Sequence, residues 1–455
     1  MIAKKILFAL MIISLTAGAS NAAEVSRERF VDDASLSGLI QTARSSNPKI
    51  AAAAQQRAAA EERIKQASAK MGPQLFVAAG ALWQNDGITA NMSLPIPLLG
   101  SPATELSFLG SGTYAAAIAL TQIIYSGGSL SAQRDAAKLA RDASAAQEKR
   151  TEQAVANAVR RAYYALRTAQ AKEVVAEEAV NLTKNHMEQA EKLFKAGVVA
   201  KNDVLRSKVA VASAELDLIR AKNGSELAMT ALRRAVGAEI PAELSEKPSL
   251  DAITAETEKA EPEDNAERDV EEAFEKREEL KAFTYLGEQA NKLARAAQGQ
   301  LLPQIIGAIG YVSAGTGKGG DNFYLDDLNE PAAAIGMYWH PFDSGEMHAK
   351  TAEAKAKAKE VLAELEDMKN VIRMEVTQAS LNIRSAESRL AVASRQVAEA
   401  KEDYRIAQRR YAESVGTNLD TLDARLALTN SLTEMVTALY DIRTAESDLK
   451  YAIGE

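Results

Sequence analysis

The stretch FKAGVVAKNDVLRSK at residues 194–208 returns near the end of the chain as YAESVGTNLDTLDAR at residues 411–425. Laid one over the other, Phe194 meets Tyr411, Asp203 meets Asp420 and Leu205 meets Leu422, each pair 217 positions apart. A constant offset between two distant segments marks a duplicated unit, and the rest of the chain divides around it.

Proline supplies the punctuation. None occurs between Pro102 and Pro241, and none after Pro341. Such long windows rich in Ala, Glu, Lys and Arg predict helix. Each window holds one break: Gly197 in the first, and Ser414 to Asn418, with Gly416, in the second. The spacing predicts long helices over about 130–194 and 347–411, each about 100 Å long at 1.5 Å per residue, followed by helices of about half that length over 203–236 and 419–453. Val155, Val159, Tyr163 and Leu166 mark one helical face, mostly kept by Ile372, Val376, Ser380 and Ile383. Helices of this kind suit a coiled-coil rod or the staves of a tube, and periodicity leaves both open.

Two strand pairs are expected, at about 73–84 with 113–125 and at about 303–314 with 332–342. Each is preceded by a shorter helix, over about 35–70 and 270–300. Each repeat therefore reads helix, two strands, long helix, turn, short helix: residues 23–237 and 270–455. An acidic linker at 238–269, with Pro241, Pro248 and Pro262, separates them. Eleven of the 23 aromatics, including Trp83 and Trp339, fall between residues 74 and 125 or 303 and 342. That concentration resembles the interfacial girdle of a membrane barrel, although ordinary hairpins also carry aromatics.

Lys4 and Lys5, the apolar run from Ile6 to Ala17 and the small residues ASNAA predict a secretory signal over residues 1–22. Removing it takes the formal charge from −8 to about −10, which argues against a nucleic-acid partner. No later run approaches 18 apolar residues, so an exported product would be soluble or a β-barrel. The chain has no cysteine, which excludes disulfides, thiolate chemistry and a lipoprotein anchor.

With those features in place, the chain resembles the TolC family of outer-membrane efflux proteins. The residues carrying the resemblance are the paired strand-to-helix junctions IIYSGG (123–128) and HPFDSG (340–345), and the paired turns AGVVAKNDVL and SVGTNLDTLDA. It implies a mainly α fold with a small membrane β-barrel. A homotrimer would form a 12-stranded outer-membrane barrel, continued by a periplasmic α-helical barrel. It also implies a Gram-negative outer-membrane channel for efflux or type I secretion. Its partners would be outer-membrane lipid, a periplasmic adaptor (membrane fusion protein) and an inner-membrane pump of RND or ABC type, with no cofactor.

The resemblance assigns tip roles residue by residue. Asp420 and Asp423, three apart on one helical face, match an acidic ring at the entrance. A first-turn carboxylate is equally explained by the helix dipole, which is worth about 0.3–1 kcal/mol. Asp203 and Tyr411 match two members of a hydrogen-bonded tip lock, and Asp203 also suits helix capping. Gly416 stands where the family's lock has an arginine, so a charge-assisted bond is missing. Gly197, Val198, Val415, Gly416 and Thr417 match segments that adaptors touch, and Trp83 and Trp339 suit the membrane interfaces.

No catalytic constellation is apparent. His340, Asp343, Glu346 and His348 could approach a metal, but a strand-to-helix junction favours capping or lumen-facing roles. GTGKGG lacks the context of a phosphate loop. The rival reading is a non-channel periplasmic coiled-coil adaptor or scaffold. Such adaptors flank their helical hairpin with compact β-domains of many short strands, and these are absent from the sequence.

Overall fold

The computed structural model describes residues 34–83, 88–92, 104–109, 112–241, 244, 247–248, 266–316 and 328–455. The expected signal peptide, most of the acidic linker and most of the GTGKGG loop lie outside the described residues. Repeat 1 contains α1 (Ala34–Ser46), α2 (Pro48–Ala69), β1 (Gln74–Trp83), β2 (Ile88–Met92), β3 (Thr104–Leu109), β4 (Gly112–Tyr125), α3 (Ser129–Lys195) and α4 (Lys201–Val236). Repeat 2 contains α5 (Ala266–Lys276), α6 (Glu278–Gly299), β5 (Gln304–Thr316), β6 (Leu328–Tyr338), α7 (Glu346–Ala412) and α8 (Asn418–Ile453).

Both α3 and α7 have 67 residues, or about 100 Å. On one side of α3, α2 and α4 run end to end. On its other side α6 and α8 do the same, with α7 packed on them in turn. Alanine-rich faces let these staves approach closely. Val155, Val159, Tyr163 and Leu166 bury one side of α3, and Ile372, Val376 and Ile383 do so on α7. Each such side chain contributes roughly 1.5–3 kcal/mol. Leu244, one of the described linker residues, is buried in the α3 cluster, and Gln170 Nε2 donates to its carbonyl at 2.8 Å.

Two expected helices are each broken in two. The residue before a proline is pushed out of helical backbone. Asn47 accordingly sits extended, and its side chain accepts from Lys49 N at 2.9 Å to cap α2. The second break, at Arg277, has no such local signal. Arg277 is buried and forks onto Glu279 at 2.8 and 2.9 Å, with further bonds to Glu375 and to the Ala452 carbonyl. Arg150 of α3 joins from beneath, bonding Glu279 and the Tyr451 carbonyl. Burial opposes the Glu279 carboxylate, yet the bonds from Arg277 and the charge of Arg150 hold it below the ordinary carboxylate range.

Four strands form one antiparallel sheet in the order β1-β4-β5-β6, leaving β1 and β6 as unpaired edges. Its register aligns Leu75, Leu120, Ile309 and Ala333 in one row, and Val77, Ile118, Tyr311 and Pro331 in the next. The opposite face carries chiefly alanine and glycine, for example Ala78, Ala117 and Ala308. Beyond this sheet β2 and β3 form a separate hairpin, lying in sequence between the strands expected at 73–84 and 113–125.

The backbone repeats more faithfully than the side chains. Eight described residues adopt positive φ, and they form four pairs offset by 217: Gly127 with Ser344, Gly128 with Gly345, Gly197 with Ser414, and Gly237 with Gly454.

Candidate functional site: the helical tip

At the end of the helices opposite the sheet, both turns follow one design. In the first, Val198 N donates to Leu193 O at 2.9 Å and Gly197 N to Phe194 O at 2.9 Å. In the second, Val415 N donates to Arg410 O at 2.8 Å and Ser414 N to Tyr411 O at 3.1 Å. Both patterns are Schellman closures, which require a left-handed residue at the second position. Gly197 supplies it in one turn and Ser414, at φ 59°, in the other.

Gly416 therefore does not provide the left-handed shape. A Cβ there would lie 2.9 Å from Arg410 Cβ and 3.2 Å from Tyr411 N. Its role is close approach to the last turn of α7. Nor is the turn without a cation, because Arg410 reaches back from the helix to the Val415 carbonyl at 3.4 Å.

The helix starts differ. Ala200 precedes α4 without a side-chain cap. Thr417 and Asp420 form a capping box on α8: Asp420 N donates to Thr417 Oγ1 at 3.1 Å, and Thr417 N to Asp420 Oδ2 at 3.2 Å. Asp420 and Asp423 are both exposed, and Asp420 has the capping role that its position allowed.

The expected hydrogen bond between Asp203 and Tyr411 is not made. Tyr411 is 2% exposed, and its hydroxyl has no hydrogen-bond partner. Its ring is wedged between the hairpins against Ala190 and Val204, with the His186 ring 4.9 Å away between centroids. Burial, with the Asp203 charge adding, pushes the Tyr411 phenol up from its ordinary value. The Asp203 backbone makes the crossing instead, since Asn418 Nδ2 donates to its carbonyl at 3.0 Å. Asn418 Oδ1 also meets His186 Nε2 at 2.5 Å and accepts from Ser207 Oγ at 3.2 Å. One side chain at the start of α8 thus ties α3 and α4 together.

Sequence reasoning takes His186 as a packed or solvated mid-helix residue and gives Ser207 and Asn418 no role. The one available signal was a lone histidine about three turns before a tip glycine, and nothing local links it to residue 418. Of the residues matched to adaptor contact, Val198, Val415 and Thr417 are exposed at the turns, as is Gly197, while Gly416 is partly covered.

At the far end of the molecule the two tryptophans stand at opposite ends of the sheet. Trp83 is 86% exposed and pairs across from Gly112. Trp339 follows Tyr338, the partner of Gln304, and donates to the Leu301 carbonyl at 3.1 Å. The register sets Gln74 level with Ala334, so Trp339 stands five residues beyond that end of β1, whose ten residues span about 30 Å. Asp343 uses its carboxylate to accept from Gly345 N at 3.0 Å and Met347 N at 2.8 Å. These bonds, the one from Met347 foremost, hold it below the ordinary carboxylate range. Among the described residues no group of His, Asp and Glu is arranged to hold a metal ion, and no helix is long and apolar enough to cross a membrane.

The sequence profile of the family described as outer membrane efflux protein matches residues 39–238 and 270–455. No curated protein matches. Among solved structures, the outer-membrane channel OprN is 20% identical with a TM-score of 0.74, covering 93% of this chain and 90% of that one. VceC of Vibrio cholerae is 20% identical with a TM-score of 0.72, covering 93% of this chain and 96% of that one. MtrE of Neisseria gonorrhoeae, solved in an open state, is 20% identical with a TM-score of 0.68, covering 92% and 89%. At these identities the structural likeness carries the fold.

Proposed function

This chain belongs to the outer membrane efflux protein family and is an outer-membrane efflux channel, and from that premise we propose that three copies close into one tunnel gated at the helical tip. The observation that carries this reading is the pair of unpartnered edges on the single chain. Along α4, Leu205, Val209, Leu216, Ile219 and Leu227 are exposed. Along α7, Leu362, Met374, Leu381, Val392 and Ile406 are exposed. Exposed large apolar side chains recurring along both outer helices mark an interface. The β1 and β6 edges lie at the corresponding two sides of the sheet.

Within one chain, repeat 1 already packs on repeat 2 through α3 with α6 and through β4 with β5. Repeating that contact from α7 to the next copy's α2 and α4, and from β6 to its β1, closes a ring. Three copies give twelve strands and twelve staves, with edges removed altogether. The rows of Leu, Val and Ile would face lipid and the Ala/Gly face the lumen. Trp83 and Trp339 would then sit at the two interfaces of a bilayer core about 30 Å thick.

At the tip, Asp420 and Asp423 would contribute six carboxylates around the opening, selecting for cations. Asp203 and Tyr411 would belong to the gate. Gly197, Val198, Val415, Gly416 and Thr417 would meet a periplasmic adaptor, with an RND or ABC pump beyond it. The test is single-channel conductance in planar bilayers beside an Asp420→Ala, Asp423→Ala double variant. Cation-selective currents whose selectivity drops several-fold in the variant are expected. Unchanged selectivity would leave Asp420 as a helix cap only, and no current from folded trimers would overturn the channel at the tip.

A further inference from the structure

His186 is 1% exposed at the point where both tip hairpins meet. Its protonation state can be worked out from its neighbours. Asn418 Nδ2 donates to the Asp203 carbonyl, so the carboxamide oxygen is the atom facing His186. That oxygen carries no hydrogen, so His186 Nε2 must donate. The proton of the neutral ring is therefore on Nε2, and Nδ1 is bare. Nδ1 is buried and has no partner.

A second proton would have to go onto Nδ1, where nothing accepts it. The groups around the ring give the resulting cation little support. Arg425 of α8 acts against it. Tyr411 of α7 offers a tilted ring, and the Asp203 carboxylate of α4 acts on that phenol. Burial holds the imidazole below its ordinary value, opposed by the Asn418 bond and reinforced by Arg425.

We propose that the contact between His186 and Asn418 is a proton-operated latch between the two hairpins. With the ring neutral, Asn418 joins α8 to α3 and α4. A proton on Nδ1 releases the α7–α8 hairpin at its tip. The sign follows from linkage. A histidine whose value is lowered in the closed arrangement gives stability that is complete above about pH 6.5 and is lost as pH falls toward the lowered value. Any arrangement that exposes the ring binds more protons, so acid favours separation.

The consequence for conduction rests on the tip-gate reading above, but the latch is tested without measuring current. The chain has no cysteine, so Lys195→Cys and Glu413→Cys, both exposed tip positions, accept spin labels cleanly. Trimers assembled with excess unlabelled chain carry one labelled pair each, and pulsed electron paramagnetic resonance reads the hairpin separation.

Between about pH 7.5 and about pH 5, the short-distance population is expected to fall by more than half, with a midpoint below the ordinary histidine range. His186→Gln keeps an N–H donor toward Asn418 but cannot titrate, so its distances are expected to stay short throughout. Arg425→Gln should move the midpoint to higher pH. Distances in the unsubstituted protein that ignore pH, or the same acid response in His186→Gln, would overturn the latch. If distances respond to pH while conductance does not, the latch stands and the tip-gate reading falls.

Discussion

The two repeats send the backbone through the same contortions and secure them with different residues. All four left-handed positions of repeat 1 are glycines, whereas repeat 2 has serine at two of them, Ser344 and Ser414. The surroundings explain part of this. A Cβ on Gly127 would lie 2.2 Å from the Gly299 carbonyl oxygen and 2.7 Å from Leu302 Cβ, because the junction before α3 is packed against the end of α6. The matching junction before α7 lies on the outer edge of the chain, and Ser344, the counterpart of Gly127, is exposed there.

The helix joints differ in the same spirit. Gly237 closes onto Asn47 and Pro48, a local cap with one cross-link from Asn47 Nδ2 to Ala235 O at 2.7 Å. Gly454 closes onto Lys276 and Arg277, where four charged side chains from three helices and the α5–α6 break converge. A duplicated backbone thus tolerates divergent fastenings, provided that each break is satisfied by some hydrogen-bonding partner.

The largest effect that would break this comparison is expected at Gly127→Ser, which gives repeat 1 the residue of repeat 2. Overlap with the Gly299 backbone cannot be relieved by a side-chain turn. A loss above about 4 kcal/mol is expected, read as failure to form heat-stable assembled protein on gels.

Next comes the pair of joints. Arg277→Met leaves Glu279 and Glu375 without their shared partner and should cost about 3 kcal/mol, as removing one member of a buried ion pair does. Asn47→Ala should cost about 1 kcal/mol, the usual value of a helix cap. Equal shifts in melting temperature from the two would contradict the proposed division between an ionic and a local joint. The smallest effect runs the other way. Ser414→Gly removes left-handed strain from the second tip and should raise stability by up to about 1 kcal/mol, whereas a loss would show that the Ser414 side chain does unseen work.

Much of the fold was legible in the sequence because its signals are local. Long alanine-rich windows without proline become helices wherever they are placed, and the tip turns announce themselves by the 217-residue offset. The Asn47–Pro48 break was also written there, in a residue forced out of helix by the proline after it. The break at Arg277 was not, because its cause lies in Arg150, Glu375 and the last turn of α8 at Ala452, remote in sequence and joined only by packing. The tip divides in the same way. Thr417 with Asp420 spells a capping box within four residues. The meeting of His186, Ser207 and Asn418 spans more than 230 positions, between His186 and Asn418.

By itself, then, the sequence determined the duplication, the lengths of the helices and the places where the chain turns, since these depend on spacing and backbone preference within a few residues. Only the tertiary structure decided which sheet face gathers the large apolar side chains, because that depends on register between strands up to about 200 positions apart. It also decided that Gly416 serves close approach rather than backbone freedom, and that Tyr411 packs where a hydrogen bond was expected. A buried ring or a missing Cβ is judged by what lies across the contact: for Tyr411 that is the other repeat, and for Gly416 the last turn of the helix just before it.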